Sequence, residues 1–582
     1  MLFDARRVPR DEVIDADVCI VGSGPAGLTL AHELAGTDVR VCVLESGGHE
    51  FDADTQDLAD GRFTGWHHFE PLRNARRRQV GGMGNQWDSD LGVRNRLGFR
   101  AGPLDPIDFE RREWLPYSGW PFGRAHLDPY YERTHRTLGL GPYRYDAAQW
   151  EGERARRLPL DPETFDTDVW TFVPQEVFTK RFPDGVARSA NVSMYLWANV
   201  VEVEAAENAR EVTGLRVACL DGNRFRVRAR LFVLAAGGME NARLLLLSDG
   251  VQRGGLGNGH GVVGRFFMEH QPVHGGTLRP ARRALIDEMA LYDVRQIEGV
   301  PVPVIGKVVL REEVLQREQL LGLSVAFLPK HPRYRNALQA YPDSAAELAR
   351  GLARLRLPEN AGAHVRNVVK GIDYLGARAA YKLSRGRLCA DFTAGPDMLT
   401  GGGWSAAGDA SKRFAVLDVH LHVEQAPHPD NRVTLDDATD ALGCRKTHLH
   451  WEWRERDYTS VRRAQKLLAD GLRKAGLGEY EIASEHGLPV LEASGLHHQM
   501  GTTRMHEDPA QGVVDADCRV HGIGNLFVAG YSVFPTGGYI NPTLTVVAMS
   551  LRLADHVRQV LRGDAPPHDA AAATGGTRAL TS

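Results

Sequence analysis

The first 45 residues switch between two kinds of hydrophobic spacing. Residues 18–21 form a short apolar run that ends in glycines, which is typical of a buried strand. Residues 25–36 place apolar side chains at helical spacing, and residues 39–44 form a second apolar run. This order predicts a strand–helix–strand unit with a right-handed crossover.

The same kinds of pattern return later in the chain. Three strands joined by short turns are predicted, followed by a Leu-rich helix, and the C-terminal part predicts a last strand and a helix that begins at Pro542. The three strands cover residues 200–207, 214–220 and 225–236, and the last strand and helix cover residues 526–530 and 542–562. In the middle, strand alternation covers residues 271–330 and 413–453, and helical spacing covers residues 344–386.

A chain of 582 residues exceeds what one hydrophobic core usually spans, so two lobes are expected. The fold class is α/β, with a Rossmann-type lobe built from discontinuous segments and an α+β lobe with a mixed or antiparallel sheet. The segments assigned to the Rossmann-type lobe are 1–100, 198–268 and 495–563. Those assigned to the second lobe are 101–197 and 269–494, and residues 564–582 are expected to be a disordered tail because they are rich in Ala, Pro and Gly.

Composition excludes several classes of function. A formal net charge of −4 and a pI near 6.7 argue against nucleic-acid binding. The six cysteines are scattered without a CxxC pair, which argues against a disulfide scaffold and against a cysteine metal site. The N-terminus lacks an apolar signal region and no long apolar run occurs, so we expect a cytoplasmic protein without membrane insertion.

Gly22, Gly24 and Gly27 fit the G-x-G-x-x-G pattern between the first predicted strand and helix. The first glycine permits a tight turn, the second lets the backbone approach a pyrophosphate, and the third allows close helix packing. The phosphates then lie at the helix N-terminus. Glu45 ends the next strand, where a carboxylate accepts hydrogen bonds from ribose hydroxyls. The sequence therefore predicts a dinucleotide site, although this motif alone does not separate FAD from NAD.

Further segments carry a resemblance to a known family. Residues 79–87, 234–243 and 514–530 resemble flavin-contact segments of the glucose-methanol-choline (GMC) family of FAD-dependent alcohol oxidoreductases. Residues 495–505 and 537–545 resemble its active-site segments. Within the family, the sequences of these segments most resemble the bacterial branch with pyranose oxidases and C-glycoside 3-oxidases. The resemblance implies FAD as the cofactor.

The family's cofactor contacts map onto turns and strand ends of this chain. The expected FAD-binding residues are Gly22, Ser23, Gly24, Pro25, Ala26, Gly27, Glu45, Ser46, Gly81, Gly82, Asn85, Gln86, Val201, Ala236, Gly237, Asn241, Gly530, Pro542 and Thr543. In pyranose 2-oxidases, a histidine immediately before the tryptophan of the second loop bonds covalently to the flavin. Gln86 stands at that position here, and an amide cannot form the bond, so FAD is expected to be non-covalent.

The resemblance also assigns the catalytic pair. The family's histidine lies three residues before the Gly-Thr of its turn, which selects His498 and not its neighbour His497. A histidine suits removal of a hydroxyl proton near neutral pH. Asn541, which is otherwise a common helix cap before proline, is expected on the other side of the substrate hydroxyl. His506 stands where the family usually has glycine, in a loop near the base. Candidate substrate contacts are Gln425, His497 and Tyr539, although a packed aromatic is an equal reading of Tyr539.

The pairs His420/His422 and His448/His450 invite a metal interpretation, but no carboxylate pattern supports it and no metal is expected. The implied reaction is oxidation of a secondary alcohol to a ketone on a sugar, glycoside or cyclitol. The electron acceptor is O₂ or a quinone-type or artificial acceptor. Two alternatives stay open: an apolar alcohol such as a sterol as substrate, or a flavin-binding scaffold without turnover. The sequence leaves the oligomeric state open.

Overall fold

The structure of the chain is a computed structural model. It describes residues 1–65, 70–86, 98–330, 340–358, 360–372, 375–376, 379, 404–405, 410–492 and 497–564. Trp87 and Gly495, which belong to two of the family-like segments, lie outside these residues, as does the expected tail after Asp564.

The strands, numbered in chain order, are β1 Leu2–Asp4, β2 Val13–Val21, β3 Val41–Leu44, β4 Gly61–Gly65, β5 Phe99–Ala101, β6 Phe165–Val173, β7 Val192–Leu196, β8 Asn199–Ala205, β9 Val212–Ala218, β10 Arg224–Leu234, β11 Pro272–Pro280, β12 Val304–Leu310, β13 Leu323–Lys330, β14 Val416–Val423, β15 Arg432–Thr439, β16 Arg445–Trp451, β17 Gly478–Ile482, β18 Ser484–Glu485, β19 Leu488–Leu491 and β20 Leu526–Val528.

The α-helices are α1 Pro25–Leu34, α2 Ala53–Asp57, α3 Pro106–Phe109, α4 Arg124–Leu138, α5 Phe182–Arg188, α6 Gly238–Leu247, α7 Leu285–Glu288, α8 Glu312–Glu318, α9 Ala340–Ala353, α10 Ala361–Lys370, α11 Ala410–Arg413, α12 Glu455–Lys474 and α13 Thr543–Arg562. A π-helix covers Val177–Arg181, and short 3-10 helices include Gly82–Asn85 and Tyr531–Val533.

A largely parallel sheet forms the nucleotide-binding lobe. Its strands follow the order β1-β7-β3-β2-β10-β9-β8, and β20 also pairs with β10. The pairs from β1 to β10 and the β10–β20 pair are parallel, whereas β9 and β8 extend the sheet as an antiparallel hairpin. Helices α1 and α13 pack against each other beside this sheet. The predicted return of residues 225–236 to the first sheet is confirmed by the β2–β10 pairing.

One predicted boundary is wrong. Residues 192–196 were assigned to the second lobe, but they form β7, which pairs in parallel with β3 and with β1. The run Val-Ser-Met-Tyr-Leu alternates buried and half-buried side chains, so its sequence alone does not state which sheet it joins. The nucleotide-binding segment therefore resumes before residue 198.

An antiparallel sheet forms the second lobe. Its order is β18-β19-β11-β14-β13-β12-β6-β5, and β17 pairs with β11. The register places residues of five neighbouring strands on one face, because directly opposed residues share a face. This face carries Arg100, Trp170, Lys307, Ser324 and His422.

A third, smaller sheet joins the two parts of the chain. Strand β4 comes from the N-terminal segment and pairs in parallel with β16, which also pairs with β15. One continuous cluster of buried apolar side chains extends through the lobes. Within the described ranges, no helix combines the length and the apolar character that crossing a bilayer requires.

Candidate active site

A cavity that opens to solvent lies at the carboxyl ends of the parallel strands, and the unfilled space, including the solvent at its opening, is about 1290 Å³. The glycine-rich turn from Gly22 to Ala26 lines it, together with Glu45 and Ser46 after β3. Six more of the predicted cofactor residues line it from later segments: Gly82, Val201, Ala236, Gly237, Gly530 and Thr543. The fold therefore brings together cofactor positions that are spread over more than 500 residues.

The backbone geometry at the three motif glycines fits the roles that the pattern predicts. Gly22 has φ +102°, and a Cβ there would lie 2.6 Å from the carbonyl oxygen of Ala235. A Cβ on Gly27 would lie 2.0 Å from the carbonyl oxygen of Gly22. A Cβ on Gly24 would meet no atom within 4 Å, and Gly24 caps α1 without a side-chain hydrogen bond. The N-terminal amides of α1 thus remain available for a phosphate.

Glu45 is buried and already serves the glycine-rich turn. Its Oε2 accepts hydrogen bonds from Ser23 N at 2.9 Å and Ser23 Oγ at 2.6 Å, and its Oε1 accepts one from Gly47 N at 2.9 Å. The carboxylate therefore ties the turn to the end of β3, and it faces the cavity where a ribose would lie.

The loop at residues 79–86, which resembles the family's second flavin-contact loop, is stabilised by hydrogen bonds that its side-chain and backbone amides donate. Asn85 Nδ2 donates to the carbonyl oxygens of Val80 at 2.8 Å and Gly82 at 2.9 Å, and Gly81 has φ +90° and donates its N–H to Ser23 O at 3.0 Å. The Oε1 atom of Gln86 is buried without a protein partner. An orphaned buried acceptor beside this loop fits a bound ligand that donates a hydrogen bond.

Asn241 supports the site indirectly. Its Oδ1 accepts from Ala236 N at 2.8 Å, and its Nδ2 donates to Ala529 O at 3.2 Å and Ser532 Oγ at 3.0 Å. The amide thus joins the ends of β10 and β20, where Ala236 and Gly530 line the cavity. Pro542 directly precedes α13.

The sequence interpretation missed two sets of cavity residues. The basic run at residues 76–78 lines the cavity, and Arg76 and Arg78 form ion pairs with Glu240 of α6. The turn between β15 and β16 also reaches the cavity through Asp440, Leu442 and Cys444. A glycine-rich cradle, a buried strand-end carboxylate and nearby arginines together fit a dinucleotide such as FAD.

A chain of hydrogen bonds leads to His498. His270 Nε2 lies 2.7 Å from the carbonyl oxygen of Gly538, and His270 Nδ1 lies 2.9 Å from His498 Nδ1. Because a carbonyl only accepts, His270 carries its proton on Nε2 and presents an unprotonated Nδ1. His498 therefore carries its proton on Nδ1, and its Nε2 holds a lone pair.

Both rings are buried and neutral. Burial lowers the pKa of His270 to about 4. Burial, followed by electrostatic interaction with His270, His497 and Arg100, holds the pKa of His498 well below its usual value. A neutral imidazole with a fixed lone pair is the form that acts as a general base.

Asn541 lies beside that lone pair. Its Nδ2 lies 3.3 Å from His498 Nε2, and its Oδ1 is buried without a protein partner. The structure thus brings the predicted catalytic pair together although 43 residues separate the two side chains in sequence.

Glu269, which the sequence interpretation also missed, fixes the backbone of both histidines. Its Oε1 accepts from His498 N at 2.7 Å and from His270 N at 3.0 Å. Burial raises the pKa of Glu269 to about 7.

His497 points to a different partner. Its Nδ1 lies 2.9 Å from Glu70 Oε1, and its φ of +61° turns the backbone between the two adjacent histidines. Burial opposes the charged ring, but Glu70 outweighs it and raises the pKa of His497. Only His498 therefore contacts Asn541.

Gln425 and Tyr539, two of the predicted substrate contacts, form hydrogen bonds with other residues of the protein. Gln425 is buried, accepts from Glu269 N and Trp451 Nε1, and donates to Glu452 O, so it braces the segment that carries Glu269. This placement does not support a substrate contact for Gln425.

Tyr539 is also buried, and its hydroxyl contacts Asp105 Oδ2 at 2.7 Å and Asp168 Oδ2. A hydroxyl has one proton, so the second contact requires a protonated carboxyl group. Burial accordingly raises the pKa of Asp168 to about 6 and that of Asp105 well above its usual value. The packed-aromatic interpretation fits Tyr539 better than a substrate contact.

The two histidine pairs lie in different sheets, on β14 and on β16. His420 contacts Glu492, whereas His448 and His450 contact Thr64. Across the residues that the structure describes, no group of three potential metal ligands comes together.

Comparison with known proteins shows which families match parts of the chain. Residues 17–254 match the model of FAD dependent oxidoreductases, and residues 427–550 match that of GMC oxidoreductases. The chain is 26% identical to paromamine 6'-oxidase of Streptomyces fradiae, over 94% of this chain and 92% of that protein. It is 24% identical to C-glycoside 3-oxidase of Microbacterium trichothecenolyticum, over 94% of this chain and 97% of that protein.

Solved structures agree on the fold. Formate oxidase of Aspergillus oryzae superposes with a TM-score of 0.50 at 18% identity, covering 95% of this chain and 99% of the other. The α/β class with a nucleotide-binding lobe and a second, antiparallel lobe is thereby confirmed. The chain therefore has an FAD dependent oxidoreductase domain and a C-terminal GMC oxidoreductase domain, and it is an FAD-dependent enzyme that acts on alcohol groups.

Proposed function

We propose that the chain oxidises a secondary alcohol to a ketone on a sugar, glycoside or cyclitol ring, with His498 as the general base. The observation that carries the proposal is the hydrogen-bond chain from Gly538 through His270 to His498, because it leaves an unprotonated Nε2 beside Asn541.

In this proposal, His498 Nε2 takes the proton of the substrate hydroxyl. The Asn541 amide donates to the oxygen that becomes an alkoxide, and His270 keeps the His498 tautomer fixed during the transfer. When bound, FAD accepts the hydride that leaves the carbinol carbon. The proton and the hydride together account for the two electrons and two hydrogens that separate an alcohol from a ketone.

The cofactor is proposed to bind without a covalent bond, since Gln86 occupies the loop position that a linking histidine takes in pyranose 2-oxidases. The polar substrate class is supported by the full-length similarity to a C-glycoside 3-oxidase.

An anaerobic substrate screen tests the proposal. The holoenzyme is mixed with sugars, glycosides and cyclitols, and with sterols and simple aliphatic alcohols, and loss of the oxidised flavin absorbance is followed. We expect ring polyols to reduce the flavin fastest and to yield a ring ketone by mass spectrometry. Faster reduction by sterols or aliphatic alcohols would assign an apolar or small substrate instead, and no reduction by any alcohol would indicate a scaffold.

The acceptor is proposed to be O₂ or a quinone-type compound. Reoxidation of the reduced enzyme by air-saturated buffer and by a soluble quinone, compared in rate, separates an oxidase from a dehydrogenase.

A further inference from the structure

A cluster of buried hydrogen-bond donors lies on one face of the second-lobe sheet, beside the proposed catalytic histidines. It consists of Arg100 on β5, Trp170 on β6, Lys307 on β12 and His422 on β14, which we call the donor cluster. The exposed fractions are 8% for Arg100, 2% for His422, 1% for Lys307 and 0% for Trp170. None of these residues has a role in the steps described above.

Arg100 and Lys307 of the donor cluster share one aromatic ring, and burial and the charge of Arg100 lower the pKa of Lys307. The Arg100 guanidinium carbon and the Lys307 Nζ each lie 5.6 Å from the centre of the Trp170 ring. Neither forms an ion pair with a carboxylate of the described residues. Two other buried arginines of this chain do have one: Arg112 is paired with Glu424, and Arg243 is paired with Asp440 at 2.7 Å.

The remaining polar atoms of the cluster are donors without acceptors. Arg100 Nη1 donates to His422 Nε2 at 3.3 Å, so the proton of a neutral His422 is on Nδ1. That Nδ1, the Lys307 Nζ and the Trp170 Nε1 are all buried without a hydrogen-bond partner. Unpaired buried donors are costly, and an unpaired buried cation more so.

The cluster adjoins the catalytic pair. The His422 and Tyr539 rings lie 5.7 Å and 6.4 Å from the Trp170 ring. Burial and electrostatic interaction with Arg100, Lys307, His270 and His498 lower the pKa of His422, and Arg100 also lowers that of His498. The donors of the cluster are therefore close enough to His498 to interact with it electrostatically.

We propose that the donor cluster binds a carboxylate on the substrate, so that the preferred substrate is an acidic ring alcohol such as a uronic acid or its glycoside. Several convergent donors, among them the Arg100 guanidinium, match an anionic acceptor and not a neutral hydroxyl, which needs both a donor and an acceptor. This substrate class rests on the proposed alcohol oxidation at His498.

The test compares two sugars that differ at one carbon. Methyl glucopyranoside has a hydroxymethyl group where methyl glucopyranosiduronate has a carboxylate. The dissociation constant of each is taken from the substrate dependence of anaerobic flavin reduction by the holoenzyme. We expect the acidic sugar to bind about 10- to 100-fold more tightly, the range of one or two charge-assisted hydrogen bonds.

Lys307→Met and Arg100→Gln should each remove most of this preference for the acidic sugar. Lys330→Met is the matched control, because Lys330 is another buried lysine of the same sheet and lies 4.0 Å from Asp418. It should keep the preference. Equal affinity of the wild-type enzyme for both sugars, or an equal loss for both sugars in Lys307→Met, would overturn the proposal.

A second experiment, which measures binding without turnover, tests the anion site independently of the proposed function. Acetate, which carries no oxidisable hydroxyl, is titrated into the oxidised holoenzyme at constant ionic strength while the flavin spectrum is recorded. A saturable spectral change that disappears in Lys307→Met supports the anion site even if no sugar reduces the flavin. Reduction by neutral sugars with no effect of acetate or of the carboxylate would retain the proposed function and refute the anion site.

Discussion

The imidazole rings of His270 and His498 are nearly perpendicular, at 82°, and their Nδ1 atoms lie 2.9 Å apart. Two nitrogens of the same kind form a hydrogen bond only when one is protonated and the other is not. The carbonyl of Gly538 determines which of the two Nδ1 atoms is protonated. It accepts a hydrogen bond from His270 Nε2–H, so the Nδ1 of the neutral His270 ring has no proton. The carbonyl of Gly538, which lies 40 residues from His498 in sequence, therefore fixes the lone pair of His498 on Nε2 through His270.

His498→Ala should slow flavin reduction by about 10²–10⁴-fold, the usual contribution of a placed general base. Asn541→Ala should cost less, about 10- to 100-fold, because it removes one hydrogen bond to the developing alkoxide. His497→Ala is the matched control and should have the smallest effect, since its ring is paired with Glu70. Stopped-flow absorbance under anaerobic conditions measures all three, and FAD content should stay near wild type. Equal losses at the two histidines would show that the base was assigned to the wrong residue.

His270→Phe should slow flavin reduction by about tenfold or more, because His498 Nδ1–H loses its acceptor and the tautomer is no longer fixed. His270→Gln keeps an acceptor and a donor and should retain more activity. The ratio of the two variants, and the change in the pH profile of each, distinguish positioning of the base from simple loss of packing. A His270→Phe enzyme with the wild-type rate and pH profile would rule out the hydrogen-bond chain.

The rate of flavin reduction should stay constant as the pH falls from 8 to below 6.5. His498 must be neutral to accept a proton, and burial holds its pKa well below the usual 6.5, so protonation inactivates it only in more acidic solution. The measurement is the limiting rate at saturating substrate across pH. A midpoint at or above 6.5 would contradict a buried, fixed base.

Glu45→Ala should loosen FAD, so that purified protein contains apoenzyme. The change removes the anchor of Ser23 N and Gly47 N as well as the acceptor for a ribose, and each hydrogen bond to a charged group contributes roughly 1.5–3 kcal/mol. Glu204→Ala is the control, because Glu204 pairs with Arg226 at the surface. FAD dissociation, followed by flavin fluorescence, should be faster only in the Glu45 variant.

Acid precipitation of the wild-type enzyme should release all of its flavin into the supernatant, because Gln86 cannot form a covalent bond to the flavin. Absorbance of the supernatant and of the redissolved protein gives the two fractions. Gln86→His provides a comparison, since it restores the residue type that bonds to the flavin in pyranose 2-oxidases. Yellow colour that stays with the wild-type precipitate would contradict the assignment.

The nucleotide-binding half of the site is predictable from the sequence because its information is local. A buried strand, a glycine turn and a helix follow one another. Gly27 is required by a close contact within that unit, and Gly22 by a close contact with the end of β10. The register of residues around His498 and Asn541 likewise points to the catalytic pair, and the structure places the two side chains 3.3 Å apart.

The parts that sequence reasoning missed depend on contacts between distant segments. Lys307 lies in an otherwise apolar strand, which can be seen in the sequence. Its membership of a donor cluster cannot, because that depends on Arg100 and His422 sharing its sheet face.

The sequence by itself predicted a dinucleotide site, because short-range spacing and turn chemistry encode it, and its resemblance to a family predicted FAD and the proposed catalytic pair. Only the tertiary structure decided that His270 fixes the His498 tautomer, and that Gln425 and Tyr539 are committed to Glu269 and to two carboxyl groups. His270 and His498 are 228 residues apart, and Tyr539 is 434 residues from Asp105. Hydrogen bonds of that separation arise from sheet register and lobe packing, so no local pattern in the chain records them.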